Sequence, residues 1–245
     1  MKIIDNLLTA LNYSYQVKDI RLGPFQTAVV THNCGLASTP HNPGPHHESS
    51  PVAEAGTLLQ KDVRTLAALA KSNSETEAAI GMATINSLLE VYERYCTETN
   101  AADLLMKNGE GKNIAIVGHF PFVAKLRTVA KNLWVIEKNP QEGDYPESEA
   151  KNLISQADVV GITGTTFTNH TIEKLLLFCK PLAYIVLLGG TAPLTPILFD
   201  YGICAISGTV VDDPARVLLS VSQGATFRQI SGKRLLTMTD RDYER

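Results

Sequence analysis

From residue 113 onward, apolar runs of strand length alternate with helical stretches, and no other feature constrains the fold as tightly. The runs are NIAIVG, LWVIE, DVVGIT, AYIVLLGG and ICAISG, each roughly 20 to 25 residues from the next. Parallel strands need long crossover connections and are buried on both faces, so near-continuous apolar runs separated by helix lengths read as repeated βα units. The spacing predicts an α/β fold, with a Rossmann-like parallel five-stranded sheet over residues 113–232. Right-handed crossovers lead us to expect the strand order 3-2-1-4-5.

The connecting segments carry helix signals of their own. Asp144 with Glu147 reads as a capping box, and Thr168 or Asn169 as the cap of TIEKLLLFC. Residues 1–100 follow a different pattern and predict a smaller α+β domain. A short helix over residues 3–11 precedes SYQVKDIRLG and FQTAVVTH, a hairpin turning at Gly23-Pro24. Two helices follow, one with Val63, Leu66, Ala67 and Ala70 on a stripe, the other capped by Ser74 with Glu77 and carrying Ala78, Met82, Ile85, Leu89 and Tyr92 at helical spacing. These stripes read as core. Residues 101–112 read as a polar connector between the two domains and residues 233–245 as a charged, solvated tail.

The ends of the five predicted strands are where ligands collect in such a sheet. They read Gly118-His119-Phe120, Glu137-Lys138-Asn139, Thr163-Gly164-Thr165-Thr166, Gly189-Gly190-Thr191 and Ser207-Gly208-Thr209. Glycines let backbone approach a ligand and hydroxyls can donate or accept, so Gly118, His119, Phe120, Glu137, Asn139, Thr163, Gly164, Thr165, Thr166, Asn169, Gly189, Gly190, Thr191, Ser207 and Gly208 are the candidate ligand-binding residues. Within them, Thr163 to Thr166 with Asn169 is the leading run, and a ligand with an anionic or strongly accepting group is expected there. The first turn lacks the G-x-G-x-x-G phosphate grip, and Pro121 removes a further N–H, so it does not read as a pyrophosphate cradle. Glu137 lies near the spacing of a ribose-binding acid, and with His119 it is the candidate for proton transfer.

A second cluster lies at HNCGLASTPHNPGPHHE, which holds four of the six histidines. His32, Cys34, His46 and His47 are candidate metal ligands, since imidazole with thiolate suits zinc, copper or nickel. No recognised metal spacing accompanies them. The net charge of −3 gives no basic footprint for nucleic acid, and no apolar stretch is long enough to span a membrane. Four scattered cysteines and an N-terminus without signal-peptide features fit a cytoplasmic protein. The partner expected is a small molecule, with a homodimer left open.

GHFPF, VIEKNP, TGTTFTNHT, GGTAPL and AISGTVVDD, preceded by GLAST and GMATINSLL, resemble the putative heavy-metal chelation family, a group of domains of unknown function. The resemblance spans nearly the whole chain. It implies a leader domain similar to the enolase N-terminal fold, a Rossmann-like domain and a site in the cleft between them. Three functions follow as expectations. The first is binding or modifying a small metal-chelating or cofactor-like molecule in that cleft, with a metal ion or metal chelate as the cofactor. The second is an adenosine-cofactor enzyme, a methyltransferase or oxidoreductase. The third is direct metal binding by the histidine-rich loop.

Overall fold

The computed structural model describes residues 1–40 and 51–243. In chain order its first half holds α1 (Lys2–Ala10), β1 (Asp19–Leu22), β2 (Gln26–Val30), β3 (Cys34–Ser38), α2 (Val63–Ala68) and α3 (Glu75–Leu88). There follow β4 (Cys96–Thr97), α4 (Ala101–Gly109), β5 (Asn113–Val117), α5 (Val123–Arg127), β6 (Asn132–Glu137), β7 (Tyr145–Pro146) and α6 (Ala150–Ile154). The chain continues with β8 (Val159–Thr163), α7 (Ile172–Phe178), β9 (Tyr184–Leu188), β10 (Ala205–Val211), α8 (Pro214–Ser222) and β11 (Lys233–Thr239). Strands β1–β3 form a three-stranded antiparallel sheet, and the other strands form an eight-stranded sheet in the order β4-β11-β10-β9-β8-β5-β6-β7.

The five apolar runs are β5, β6, β8, β9 and β10, and every pairing among them is parallel. The expected count of five strands is corrected to eight. Two-residue β7 extends the sheet beyond β6, while β11 and β4 add an antiparallel margin beyond β10. The order of the five is also corrected, to 2-1-3-4-5, because β8 lies between β5 and β9 and not outside β6. Crossover handedness fixes which way each connection turns but not how many strands it passes. Burial decides the rest: Val159 to Ile162 of β8 are wholly buried, whereas β6 begins at exposed Asn132 and keeps Leu133 and Trp134 only half-buried. The more continuous apolar strand takes the centre.

Side chains alternate across this sheet, so both faces need cover. Ile114 and Ile116 pack with Leu105 of α4 and Leu126 of α5 on one face. Ala115, Val160 and Ile162 belong to the other, with Leu153 of α6 and Leu175 of α7, and that cluster continues into Ile3, Leu66 and Ile80 of the N-terminal half. The connector over 101–112 is thus largely α4, whose Leu105 is fully buried beneath the sheet. The tail is corrected as well: residues 233–239 form β11, with Leu236, Thr237 and Met238 buried.

In the N-terminal half the hairpin turns where expected, with Gly23 N–H donating to the Gln26 carbonyl at 2.9 Å. Helix α3 starts at its predicted cap, Ser74 Oγ accepting from Glu77 N at 3.4 Å, but Glu77 does not return the bond and instead accepts from Ala53 N and Ser72 Oγ. Ala78, Met82, Ile85 and Leu89 are buried as their spacing predicts, whereas Tyr92 lies beyond the helix and is exposed. Gly35 lets β3 press on α3: a Cβ there would stand 2.1 Å from the Ala83 carbonyl oxygen. The two halves meet through β3 against β10 and α8 against β1 and β2.

Candidate functional site

β6, β5 and β8 end side by side, and the turns that follow them bound a cleft of about 270 Å³. In the 2-1-3-4-5 order this is the switch point: the chain leaves β5 toward β6 on one side, while β8 flanks β5 on the other, and the diverging connections leave a crevice between them. Every residue lining it comes from positions 117–175. Among the described residues the lining thus lies at the sheet's own edge, and the N-terminal half approaches it at the rim, where Glu75 meets Lys138 at 3.2 Å.

After β5 the chain turns at Gly118, whose φ of +106° favours glycine and whose Cβ would press on Phe120 and Thr163 at 3.1 Å. His119 and Phe120 follow as cleft walls. At the end of β6, Glu137 Oε1 accepts the His119 backbone N–H at 2.6 Å, and Oε2 accepts from Lys138 N at 3.1 Å. The acid that would hydrogen-bond a ribose instead occupies the turn's own N–H, and a phosphate approaching that donor would meet a carboxylate.

Thr163, Thr165, Thr166 and Asn169 line the wall beyond β8. Much of their hydrogen bonding is local: Thr166 Oγ1 donates to the Thr163 carbonyl at 2.7 Å, and Asn169 Oδ1 accepts from Thr171 N and Thr171 Oγ1. Asn169 thus shapes the turn before α7, whose N-cap, Thr171, makes no side-chain capping bond. Thr163 and Thr165 hydroxyls meet at 3.1 Å and remain partly exposed to the cleft. His170 takes a φ of +58° with its Nε2 3.0 Å from the Ala70 carbonyl oxygen, which ties this turn to the N-terminal half.

The remaining candidates lie elsewhere. Asn139 is exposed beyond the cleft lining, and Gly164 is buried because a Cβ would stand 2.4 Å from Ala192 N. Thr191 Oγ1 accepts from Ser38 N at 2.8 Å, and a Cβ on Gly190 would strike Phe227 at 2.7 Å, so the Gly189-Gly190-Thr191 turn is packed under β3 and the segment after α8. Ser207 and Gly208 are not at a strand end at all. They sit inside β10, paired with Thr237 and Leu236, and the Ser207 and Thr237 hydroxyls bond each other.

Sequence reasoning missed Asp144, assigned above to a helix cap. Helix α6 begins only at Ala150, after a 3-10 turn, and Asp144 turns to His119 instead, Oδ2 lying 2.9 Å from Nδ1. Glu147, the other half of that expected box, lines the cleft. No local signal announces either contact, because both depend on the segment after β6 folding back over the β5 turn.

Of the candidate metal ligands, His32 and Cys34 fall within the described residues and have different surroundings. His32 is exposed and stacks on Tyr15, ring centroids 4.3 Å apart, while Cys34 is buried, its thiol pushed up to about 12 by desolvation and then by the Asp19 charge. Burial likewise raises Cys96 to about 11 and Cys179 to about 12, so these thiols are poor sources of thiolate at neutral pH. His46 and His47 lie outside the described residues. Among the described residues no three His, Cys, Asp or Glu side chains are grouped to share a metal ion. No described helix is long and apolar enough to cross a membrane.

Fold and cleft define a mixed α/β protein with a small-molecule-sized crevice at the carboxyl edge of a mostly parallel sheet. Family models described as putative heavy-metal chelation match residues 4–89 and 100–239, and the chain belongs to that family. An uncharacterized protein of Methanocaldococcus jannaschii is 30% identical over 168 residues, which cover 66% of this chain and 65% of that protein, less than two thirds of its length. A DUF364-family protein of unknown function from Desulfitobacterium hafniense has a crystal structure similar at a TM-score of 0.84 and 25% identity, covering 98% of each chain. Another from Pyrococcus horikoshii reaches 0.81 at 18% identity, covering 97% of this chain and 98% of that one, a likeness of fold.

Proposed function

We propose that the cleft binds a small organic molecule carrying metal-chelating donors, free or as its metal complex, and that this protein takes part in heavy-metal chelation by holding or modifying that molecule. The observation that carries the reading is the convergence of three polar turns, after β5, β6 and β8, on one crevice at the switch point. The family description supplies the link to metal. The larger unit reads as Rossmann-like and the N-terminal unit, through residue 100, as similar to the enolase N-terminal fold.

A second reading, an adenosine-cofactor enzyme, draws support from Glu137 at the end of β6 beside the Gly118 turn. It is weakened by the bond that this carboxylate makes to His119 N. Native mass spectrometry with elemental analysis of the purified full chain separates the readings. A bound organic mass that chelates metal, with or without the metal, supports the proposal. An adenosine cofactor in its place favours the second reading, and stoichiometric metal without organic mass, surviving dialysis against chelator, overturns both.

A further inference from the structure

The segment after β6 turns back at Gln141 to Asp144, closed by the Asp144 N–H donating to the Gln141 carbonyl at 3.0 Å, with Gly143 at φ +86°. It carries the Asp144 carboxylate into a site where its side chain is 1% exposed. Oδ2 accepts from Gln141 N at 3.2 Å and faces His119 Nδ1 at 2.9 Å, while Oδ1 is buried without a hydrogen-bond partner among the described residues. A carboxylate so withdrawn from water is costly unless a partner offsets its charge, and a half-satisfied one calls for that partner more strongly. The imidazole is the titratable side chain in contact with it.

An ionised carboxylate can only accept, so the proton of a neutral His119 sits on Nδ1 and the lone pair on Nε2. Nε2 makes no hydrogen bond within the described protein, and His119 lines the cleft with its side chain 34% exposed. The wall around it is rich in acceptors: Glu137 and Glu147 line the same crevice, and the lining cation, Lys138, is paired with Glu75.

We propose that Asp144 and His119 work as a dyad that makes Nε2 the proton acceptor of the cleft, and that the ligand's metal-chelating donor is protic, an O–H or N–H that must lose its proton before it can hold a metal ion. In the step, the donor O–H or N–H bond breaks, its electron pair stays on the ligand, and a new N–H bond forms at Nε2. The imidazolium so formed lies against Asp144, the positioning residue, whose buried charge it neutralises. This shifts the expectation for the cleft from an anionic ligand to one that arrives as a hydrogen-bond donor. The inference rests on the functional reading above.

Two measurements on the full chain test it. In the first, long-range proton–nitrogen spectra of 15N-labelled protein identify the imidazole tautomers, with His119→Gln assigning the signal. The Nδ1–H form is expected in the wild type, and loss of that preference in Asp144→Ala. An Nε2–H form in the wild type, or a tautomer unmoved by Asp144→Ala, overturns the dyad. The second follows carbethoxylation of His119 by diethyl pyrocarbonate, read by peptide mass, with catechol and its dimethyl ether as probes. Catechol is expected to slow the reaction by about tenfold at saturating concentration and the ether to leave it unchanged. Equal protection by both, or protection by neither, overturns the protic ligand class. A native ligand found bound away from the cleft would instead sink the functional reading and leave the tautomer result standing.

Discussion

The carboxyl edge of the large sheet has two ends built from the same residue types and put to opposite uses. After β8 the chain reads Thr-Gly-Thr-Thr and its turn lines an open crevice, whereas after β9 it reads Gly-Gly-Thr and its turn is closed over by β3, α3 and Phe227. Glycine serves close approach in both. At Gly118 it makes the turn that opens onto the cleft, and at Gly190 it makes room for an aromatic ring. Polar turns at a strand end thus mark where a ligand can bind, but what is stacked on them decides whether one does.

The largest effect expected from breaking this contrast comes at the position where the two ends touch. Gly164→Ala would drive a Cβ to 2.4 Å from Ala192 backbone, which cannot swing aside. A loss of about 3 kcal/mol is expected in urea unfolding, the upper range for forcing bulk into a packed interior. At the closed end, Thr191→Val removes the acceptor of Ser38 N–H. About 2 kcal/mol of stability should go with it, and the affinity for a cleft ligand should stay unchanged by calorimetry. An affinity loss there would mean that the closed end is part of the site.

At the open end the balance reverses. Thr165→Ala should weaken ligand binding by about 1 to 2 kcal/mol while shifting the unfolding midpoint little, since among the described residues its hydroxyl meets only Thr163. Unchanged affinity would make the Thr163–Asn169 run a turn and nothing more. The smallest effect lies at the opposite edge, where Asp158 pairs with Lys180 at 2.8 Å and accepts from Asn113 N. The Lys180 hydrogen bond, then Asn113, holds its carboxyl below the usual value. Its contribution is therefore present above the unfolded carboxylate pKa, about 4, and is lost as pH falls through the lower folded value. Because both partners are well exposed, Lys180→Met should remove only about 0.5 kcal/mol at neutral pH, less in high salt, with the difference vanishing in acid.

How much was legible differs between elements for physical reasons. β5, β8 and β9 are buried on both faces over most of their length, so their sequences are nearly continuous apolar runs and could be read without knowing any neighbour. β11 could not: Leu235 is exposed, Lys233 lies over the Phe227 ring, Arg234 pairs with Asp212, and the core residues Leu236 and Met238 flank a buried threonine, Thr237. β3 was hidden beside the histidine-rich loop, because small residues such as Gly35 and Ala37 are what packing against α3 demands. In the cleft, Gly118, Glu137 and the Thr163 run stand at strand ends that the sequence marks. Asp144 does not, since its role arises from a fold-back over the β5 turn.

The sequence by itself determined the parallel alternating core, the α/β class and the family, because burial on two faces and glycine at turns leave their mark residue by residue. The tertiary structure alone decided the strand order, the antiparallel margin, which polar turns stay open, and the pairing of Asp144 with His119. Those outcomes depend on contacts between segments distant along the chain, and no local pattern of residue types encodes which distant surface a turn will meet.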